Sequence, residues 1–299
     1  MSYRWLVVLL GAAGCTGSAQ VQVKDEPSAP IEEPTSSSSA EKDPVTASGN
    51  NSITIHYAPP AVGKKLHVRI ETDLAFHLGK GGQLAAHQVF DRREEVLAVK
   101  GDRVTRLKVS FLEGKLVIAS GKKGKPKTVE DPLVGGTWVV SEGGLQPVVQ
   151  TEGGAPASPW TAAKVGMRYK RFDQGGKIEN GGYPQGSISI GMRVPSLEQA
   201  FMESNAVDTD LLGQASDVTI TLKDVKGAGE AGAVAVFELS SGYHLSEKAT
   251  GRSVDLVVSG TLSARASDGH LLGWKLGGTL DGTNGVQGTF TSVGTVTEE

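Results

Sequence analysis

Alternation of apolar and polar side chains is the strongest pattern in this chain. Between residues 66 and 78, a two-residue period places on one side Leu66, Val68, Ile70, Leu74 and Phe76. Charged residues and histidines fill most of the other side. Because successive side chains of a β-strand point to opposite faces, this pattern predicts one unusually long strand with a buried and a wet face.

The same period recurs along the rest of the chain, at 105–111, 218–222, 254–262 and 272–280. Asp268-Gly269 and Asn284-Gly285 are dipeptides typical of tight hairpins. The sequence therefore predicts a mainly β protein with long-stranded antiparallel sheets, arranged as a sandwich or as a curved half-barrel.

One short helix is predicted near residues 196–204. Ser196 can cap its first turn, Gln199 can reach back to the cap, and an apolar stripe follows. The glycine-rich segment 153–191 predicts long loops or short strands instead.

The N-terminus has a different pattern. A basic start is followed by the apolar run WLVVLL and then by small residues up to Cys15, which is the order of a secretory signal peptide. The segment Ala12-Ala13-Gly14-Cys15 resembles the lipobox of bacterial lipoproteins, although leucine is commoner where Ala12 stands. The resemblance implies that residues 1–14 are a signal peptide and that Cys15 carries fatty acyl chains such as palmitate. The alternative is an ordinary secretory signal that is cut after Ala19.

Residues 15–50 are rich in proline, serine and acidic residues, a composition that predicts a disordered tether. We expect one β-rich globular domain over 51–299, with two candidate halves at 52–150 and 160–297. Thr16 follows the cysteine where aspartate would favour the inner membrane. By resemblance to Gram-negative sorting, this favours an outer-membrane anchor, with the domain facing the periplasm or the surface.

Composition narrows the candidate partners. The net charge is −3 and the pI is about 6.1, which argues against nucleic acid as a partner. A chain with one cysteine has no intramolecular disulfide and must depend on its core.

The sequence offers little catalytic chemistry, and we predict no enzyme, no cofactor and no metal. Ser120 and Lys123 match the SxxK pattern of a hydrolase, but they fall in a glycine- and lysine-rich turn. His87 could stand opposite His67 or His77 across a hairpin, where exposed histidines are the simpler interpretation. The run Arg92-Arg93-Glu94-Glu95 is interpreted as a solvated surface.

One charge cluster is unusual. Glycine and proline separate four lysines on a predicted loop, and these are Lys122, Lys123, Lys125 and Lys127. They are a candidate contact for an anionic surface, although a soluble hairpin loop explains them as well.

These observations favour a membrane-tethered envelope lipoprotein that acts as a non-enzymatic structural or interaction module. The alternative is a binder or carrier of lipid or another amphiphile in a β-walled cavity. Long one-sided sheets on a tether resemble, in architecture only, the open half-barrels of bacterial lipoprotein carriers. The five apolar residues of the first strand would then line either a core or such a cavity. The partner would be the membrane, through the N-terminal lipid, together with an unknown envelope protein or amphiphile.

Overall fold

The structure, a computed structural model, describes residues 51–78, 82–121, 125–143, 146–169, 182–204, 211–227, 232–247 and 253–299. Two short strands, β1 (Ser52–Thr54) and β8 (Ser187–Ser189), pair as a ribbon. The other strands are β2 (Lys65–Leu78), β3 (Gln83–Lys100), β4 (Arg103–Ser120), β5 (Lys127–Glu130), β6 (Thr137–Ser141), β7 (Val148–Thr151), β9 (Leu211–Lys226), β10 (Val234–Glu247), β11 (Ser253–Arg265), β12 (Leu271–Gly282) and β13 (Val286–Glu298).

These other strands form one 11-stranded antiparallel sheet with the order β7-β6-β4-β3-β2-β13-β12-β11-β10-β9, while β5 pairs with β4. The prediction of a mainly β fold with long antiparallel strands is confirmed. The chain builds one large sheet, which passes through both predicted halves where β2 pairs with β13.

Two short helices occur in the described residues, α1 (Pro159–Arg168) and α2 (Pro195–Ser204). The predicted helix near 196–204 is α2 and is confirmed. The expectation of only loops or short strands over 153–191 is wrong, because α1 lies within that segment. Ser158 caps α1 by accepting a hydrogen bond from the Thr161 backbone N–H at 3.1 Å, and proline at the first helical position suits a helix start.

Additional chain covers part of each edge of the sheet. Along β7, the Ala157 N–H donates to the Val149 carbonyl. Along β9, residues 191–194 exchange backbone hydrogen bonds with the strand, and the Glu198 carboxylate accepts from the Ile220 N–H at 3.0 Å. Covered edges do not offer unpaired backbone groups to the strands of another molecule.

Two apolar clusters lie on the same face of the sheet. The first gathers around Leu74 and Phe76 and is closed by the β1–β8 ribbon and α2. The second gathers around Val68 and Ile70 and is closed by α1, whose Val165 is fully buried in it. This face is the apolar face predicted from the alternation in β2.

Glycines let aromatic rings lie close to the backbone of neighbouring strands on this face. A Cβ on Gly294 would stand 2.3 Å from ring atoms of Trp274, and one on Gly278 would stand 2.4 Å from Phe290. Such close approach is a known reason for glycine inside a strand.

Candidate functional site

A strip of three partly exposed apolar side chains and two buried hydroxyl residues crosses the middle of the apolar face. Its members are Leu262, Trp274, Leu276, Thr72 and Ser292, and we call them the central strip. On neighbouring strands, Ser292 lies opposite both Thr72 and Leu276. Trp274 lies opposite Leu262. The strip lies between α1, which packs against β7 at one edge, and α2, which packs against β9 at the other.

The polar groups of the central strip bond to one another. Thr72 Oγ1 donates to Ser292 Oγ at 3.3 Å, and the Trp274 indole Nε1–H donates to the same oxygen at 3.3 Å. Leu262, Trp274 and Leu276 keep part of their apolar surface exposed. The strip is therefore an apolar surface whose hydroxyl groups already have partners.

The structure places the five predicted apolar residues of β2 on this face. Val68, Ile70, Leu74 and Phe76 are buried, and Leu66 at the start of the strand is half-buried. Val68 and Ile70 belong to the cluster under α1, and Leu74 and Phe76 belong to the cluster under the β1–β8 ribbon. These four buried residues pack as core, whereas Leu66 belongs to neither cluster.

Two charged residues of β3 interrupt the apolar face beneath α1. The interpretation of Arg92 and Glu94 as a solvated surface is wrong, since they are only 9% and 4% exposed. Arg92 Nε donates to Glu94 Oε1 at 2.7 Å, and the Tyr169 hydroxyl donates to the same oxygen at 2.8 Å. Their positions share the two-residue period of Phe90, so the alternation itself carried the signal.

Arg168 is the second buried cation of this region. It is the last residue of α1, its side chain is 4% exposed, and it forms an ion pair with Asp131. The guanidinium lies 4.6 Å from the ring centroid of Phe90 and 4.9 Å from that of Phe111. Burial lowers the pKa of Arg168, and the charge of Asp131 opposes that shift.

The ion pair leaves two nitrogens of Arg168 without a hydrogen bond. Among the described residues, neither Nε nor Nη1 has a partner, although both are buried. A buried guanidinium N–H without an acceptor is costly, and aromatic faces compensate only in part. In the described residues under α1, these two nitrogens are the buried side-chain polar atoms that have no hydrogen-bond partner.

Arg168 lines a cleft between α1 and the β4–β5 edge. The other lining residues include Gln88, Lys115, Leu116, Val129 and Lys164. The cleft thus joins apolar walls to cationic side chains. Lys164 also lies 5.6 Å from the ring centroid of Trp160, which is 50% exposed one turn earlier on α1.

The other predicted site residues lie elsewhere. Lys127 is exposed as the first residue of β5, and Lys125 is exposed just before it. Lys122, Lys123 and Cys15 lie outside the described residues. Ser120 is exposed at the end of β4. Of the described members of this set, Ser120, Lys125 and Lys127, none lines the cleft.

Two histidines on the polar face of β2 and β3 pair with carboxylates, whereas His77 bonds to the side-chain amide of Gln83. His87 Nδ1 lies 2.8 Å from Asp73 Oδ1 across the β2–β3 hairpin, and His67 Nε2 lies 2.6 Å from Asp91 Oδ1. The predicted placement of His87 opposite His67 or His77 is wrong, because the register of β2 and β3 sets His87 opposite Asp73.

A second group of potential metal ligands lies near the β11–β12 turn. Ligand atoms of Asp268, His270 and Glu298 fall within 4.8 Å of one another. Arg265 already pairs with both carboxylates, and Lys64 Nζ lies 2.6 Å from Glu298. These hydrogen bonds, with Arg265 first, lower the pKa of Glu298 to about 2. The protein's own cations therefore neutralise this group.

Comparison with known proteins gives little. No protein-family model matches the chain, and no curated protein matches it. A solved structure described as "lipid-protein interactions in lipovitellin" is similar over 80% of this chain, with 8% sequence identity and a TM-score of 0.32. The match spans only 25% of that protein chain, and a likeness this distant does not establish a shared function. No helix in the described residues is long and apolar enough to span a bilayer.

Proposed function

We propose that this protein is a lipid-anchored protein of the cell envelope whose large sheet holds the hydrocarbon part of a lipid or a similar amphiphile. The observation that carries the proposal is the central strip, where Leu262, Trp274 and Leu276 stay half-exposed between two covered edges of one apolar face. A soluble domain usually covers a surface of this kind with its own chain or with a ligand.

Two physical features support hydrocarbon as the occupant. Each Å² of apolar surface withdrawn from water contributes about 25 cal/mol, so an acyl chain on the strip would be held by burial alone. The hydroxyls of Thr72 and Ser292 already have partners, and contact with hydrocarbon would therefore leave no polar group newly unpaired.

The anchor belongs to the same proposal and is supported by the lipobox-like sequence that ends at Cys15. A tether of about 35 residues would let the domain reach roughly 30–35 Å from the bilayer surface. No catalytic step is part of the proposed function.

A non-enzymatic structural or interaction module is the second candidate. It is favoured by the dense packing of both apolar clusters and by the cover over both sheet edges. In that case the half-exposed strip would contact a protein partner rather than a lipid.

Binding of a fluorescent fatty-acid analogue tests the proposal. The full chain carrying Cys15→Ser is used, because it lacks the acceptor for its own acyl chains. We expect saturable binding that weakens about tenfold in Leu276→Gln. Val257→Gln removes an exposed apolar side chain from the opposite face and should bind like the parent.

Thermal unfolding establishes that both variants are folded. Absence of binding by the parent, or equal affinity in the two variants, would contradict the lipid-binding proposal and favour the interaction module.

A further inference from the structure

We propose that the cleft under α1 binds the anionic group, a carboxylate or a phosphate, of the amphiphile whose hydrocarbon lies on the central strip. This inference rests on the proposed function and extends it to the polar end of the ligand. It starts from the Nε and Nη1 donors of Arg168, which are buried beside a cleft and have no acceptor among the described residues.

The chemistry of these donors selects an anion. A guanidinium keeps its positive charge, and charge-assisted hydrogen bonds from its N–H groups to a carboxylate or phosphate oxygen are among the strongest in proteins. Asp131 occupies the Nη2 side of Arg168. The Nε and Nη1 donors are the ones left without an acceptor among the described residues. They point to opposite sides of the guanidinium and are buried, so an anion that enters the cleft takes a hydrogen bond from one of them after a small displacement of the side chains that cover it.

The charges around the cleft agree with a monoanion. Lys115, Lys164 and Arg168 are cationic, while Glu130 and Asp131 are acidic, so the lining carries one positive charge in excess. An anionic group on Arg168 would neutralise that excess in a partly dehydrated place, where the interaction is stronger than at the surface.

The cleft adjoins the central strip on the same face. Gln88, which lines the cleft, is the register partner of Thr72, and Thr72 leads through Ser292 to Leu276. Three strand spacings separate Gln88 from Leu276, or about 14 Å. An extended long-chain acyl group is longer than this distance, so one amphiphile can reach both places.

Three probes test the proposal on the full chain carrying Cys15→Ser: oleate, methyl oleate and lysophosphatidic acid. We expect at least one of the two anionic probes to bind tenfold or more tightly than the uncharged ester. Preference for oleate would identify a free carboxylate as the natural group, and preference for lysophosphatidic acid would identify a lipid phosphate.

The double variant Arg168→Met/Asp131→Asn removes both charges of the ion pair, so no buried charge is left alone. We expect its preference for the anion to fall to about twofold or less, with ester affinity unchanged. Lys164→Gln leaves the buried pair intact. We expect this variant to bind the anionic probes several-fold more weakly and to bind the uncharged ester as the parent does. Arg93→Gln removes an exposed cation from the polar face and should retain the full preference.

The outcomes separate the two proposals. Equal binding of acid, phosphate and ester by the parent would overturn the anion site and leave hydrocarbon binding in place. An unchanged preference in both the double variant and Lys164→Gln would also overturn the anion site. Absence of binding for all three probes would overturn both proposals.

Discussion

The indole ring of Trp274 covers the backbone of Gly294 on the neighbouring strand, where a Cβ atom would stand 2.3 Å from two ring carbons. The ring is held there by its hydrogen bond to Ser292. We predict that Gly294→Ala displaces the indole and costs about 1–3 kcal/mol of unfolding free energy, as overpacking usually does. Denaturant unfolding measures the cost, and tryptophan emission should shift to the red.

Gly277→Ala is the matched control. Its Cβ would meet nothing closer than 3.5 Å, so we expect stability within about 0.5 kcal/mol of the parent. Equal losses in the two variants would show that strand propensity, rather than the ring, determines the effect.

The buried pair of Arg92 and Glu94 gives a second prediction. Glu94→Gln leaves the buried guanidinium without its counter-charge, and we expect a loss of about 3–5 kcal/mol in denaturant unfolding. Replacing both residues, as Arg92→Met/Glu94→Leu, should recover most of that loss because neither member of this pair then leaves a buried charge without its partner. Glu95→Gln on the next position should cost under about 1 kcal/mol. A double variant as unstable as the single one would argue against the ion pair as the cause.

The lowered pKa of Glu298 predicts that the stability of the protein depends on pH. Arg265 and Lys64 lower its pKa to about 2 in the folded state, below the 4.5 of an unperturbed carboxyl. A lowered folded-state pKa stabilises the protein above the unfolded-state pKa, and the contribution is lost as pH falls from about 4.5 to about 2.

We therefore expect Glu298→Gln to be less stable than the parent at pH 6 and nearly equal to it near pH 2. Because Glu298 is partly exposed, the difference at pH 6 should be modest. Glu238→Gln, which removes an exposed partner of Lys223, serves as control. A difference that does not change between pH 6 and pH 2 would contradict the assignment.

The proposed membrane anchor gives a further prediction. Cys15→Ser should move the protein from the membrane fraction to the soluble fraction without changing its melting temperature, since stable anchoring needs the acyl chains of a mature lipoprotein. Fractionation in high salt, followed by immunoblotting, makes the measurement. Continued sedimentation of the variant with membranes would place the anchor elsewhere.

The apolar face of β2 was predictable because its period has few interruptions. Arg92 and Glu94 obey the same period in β3, yet charged residues are so rarely buried that the sequence favours a surface position for them. Part of what makes their burial tolerable comes from Tyr169, which follows α1 and lies 75 positions from Glu94 along the chain.

The cleft was not predictable for a related reason. It needs Arg168 on α1, Asp131 in the turn after β5 and Phe90 on β3 to meet, and no local pattern relates these segments. The helix itself had a signal in Ser158-Pro159, which the surrounding glycines obscured. Many of those glycines mark turns, but Gly278 and Gly294 lie inside strands where rings need room.

The seam between β2 and β13 joins positions as distant as Thr72 and Ser292, which are 220 residues apart. Closing so long a loop is slow, so the seam should form late in folding. Until then, β2–β4 and β9–β13 are two separate meanders, each with an open edge at the seam and an uncovered apolar face. A newly made chain is most exposed to aggregation during that interval. How much of this protein reaches its folded state would then depend on protection of the chain before the seam closes. The final stability of the sheet would matter less.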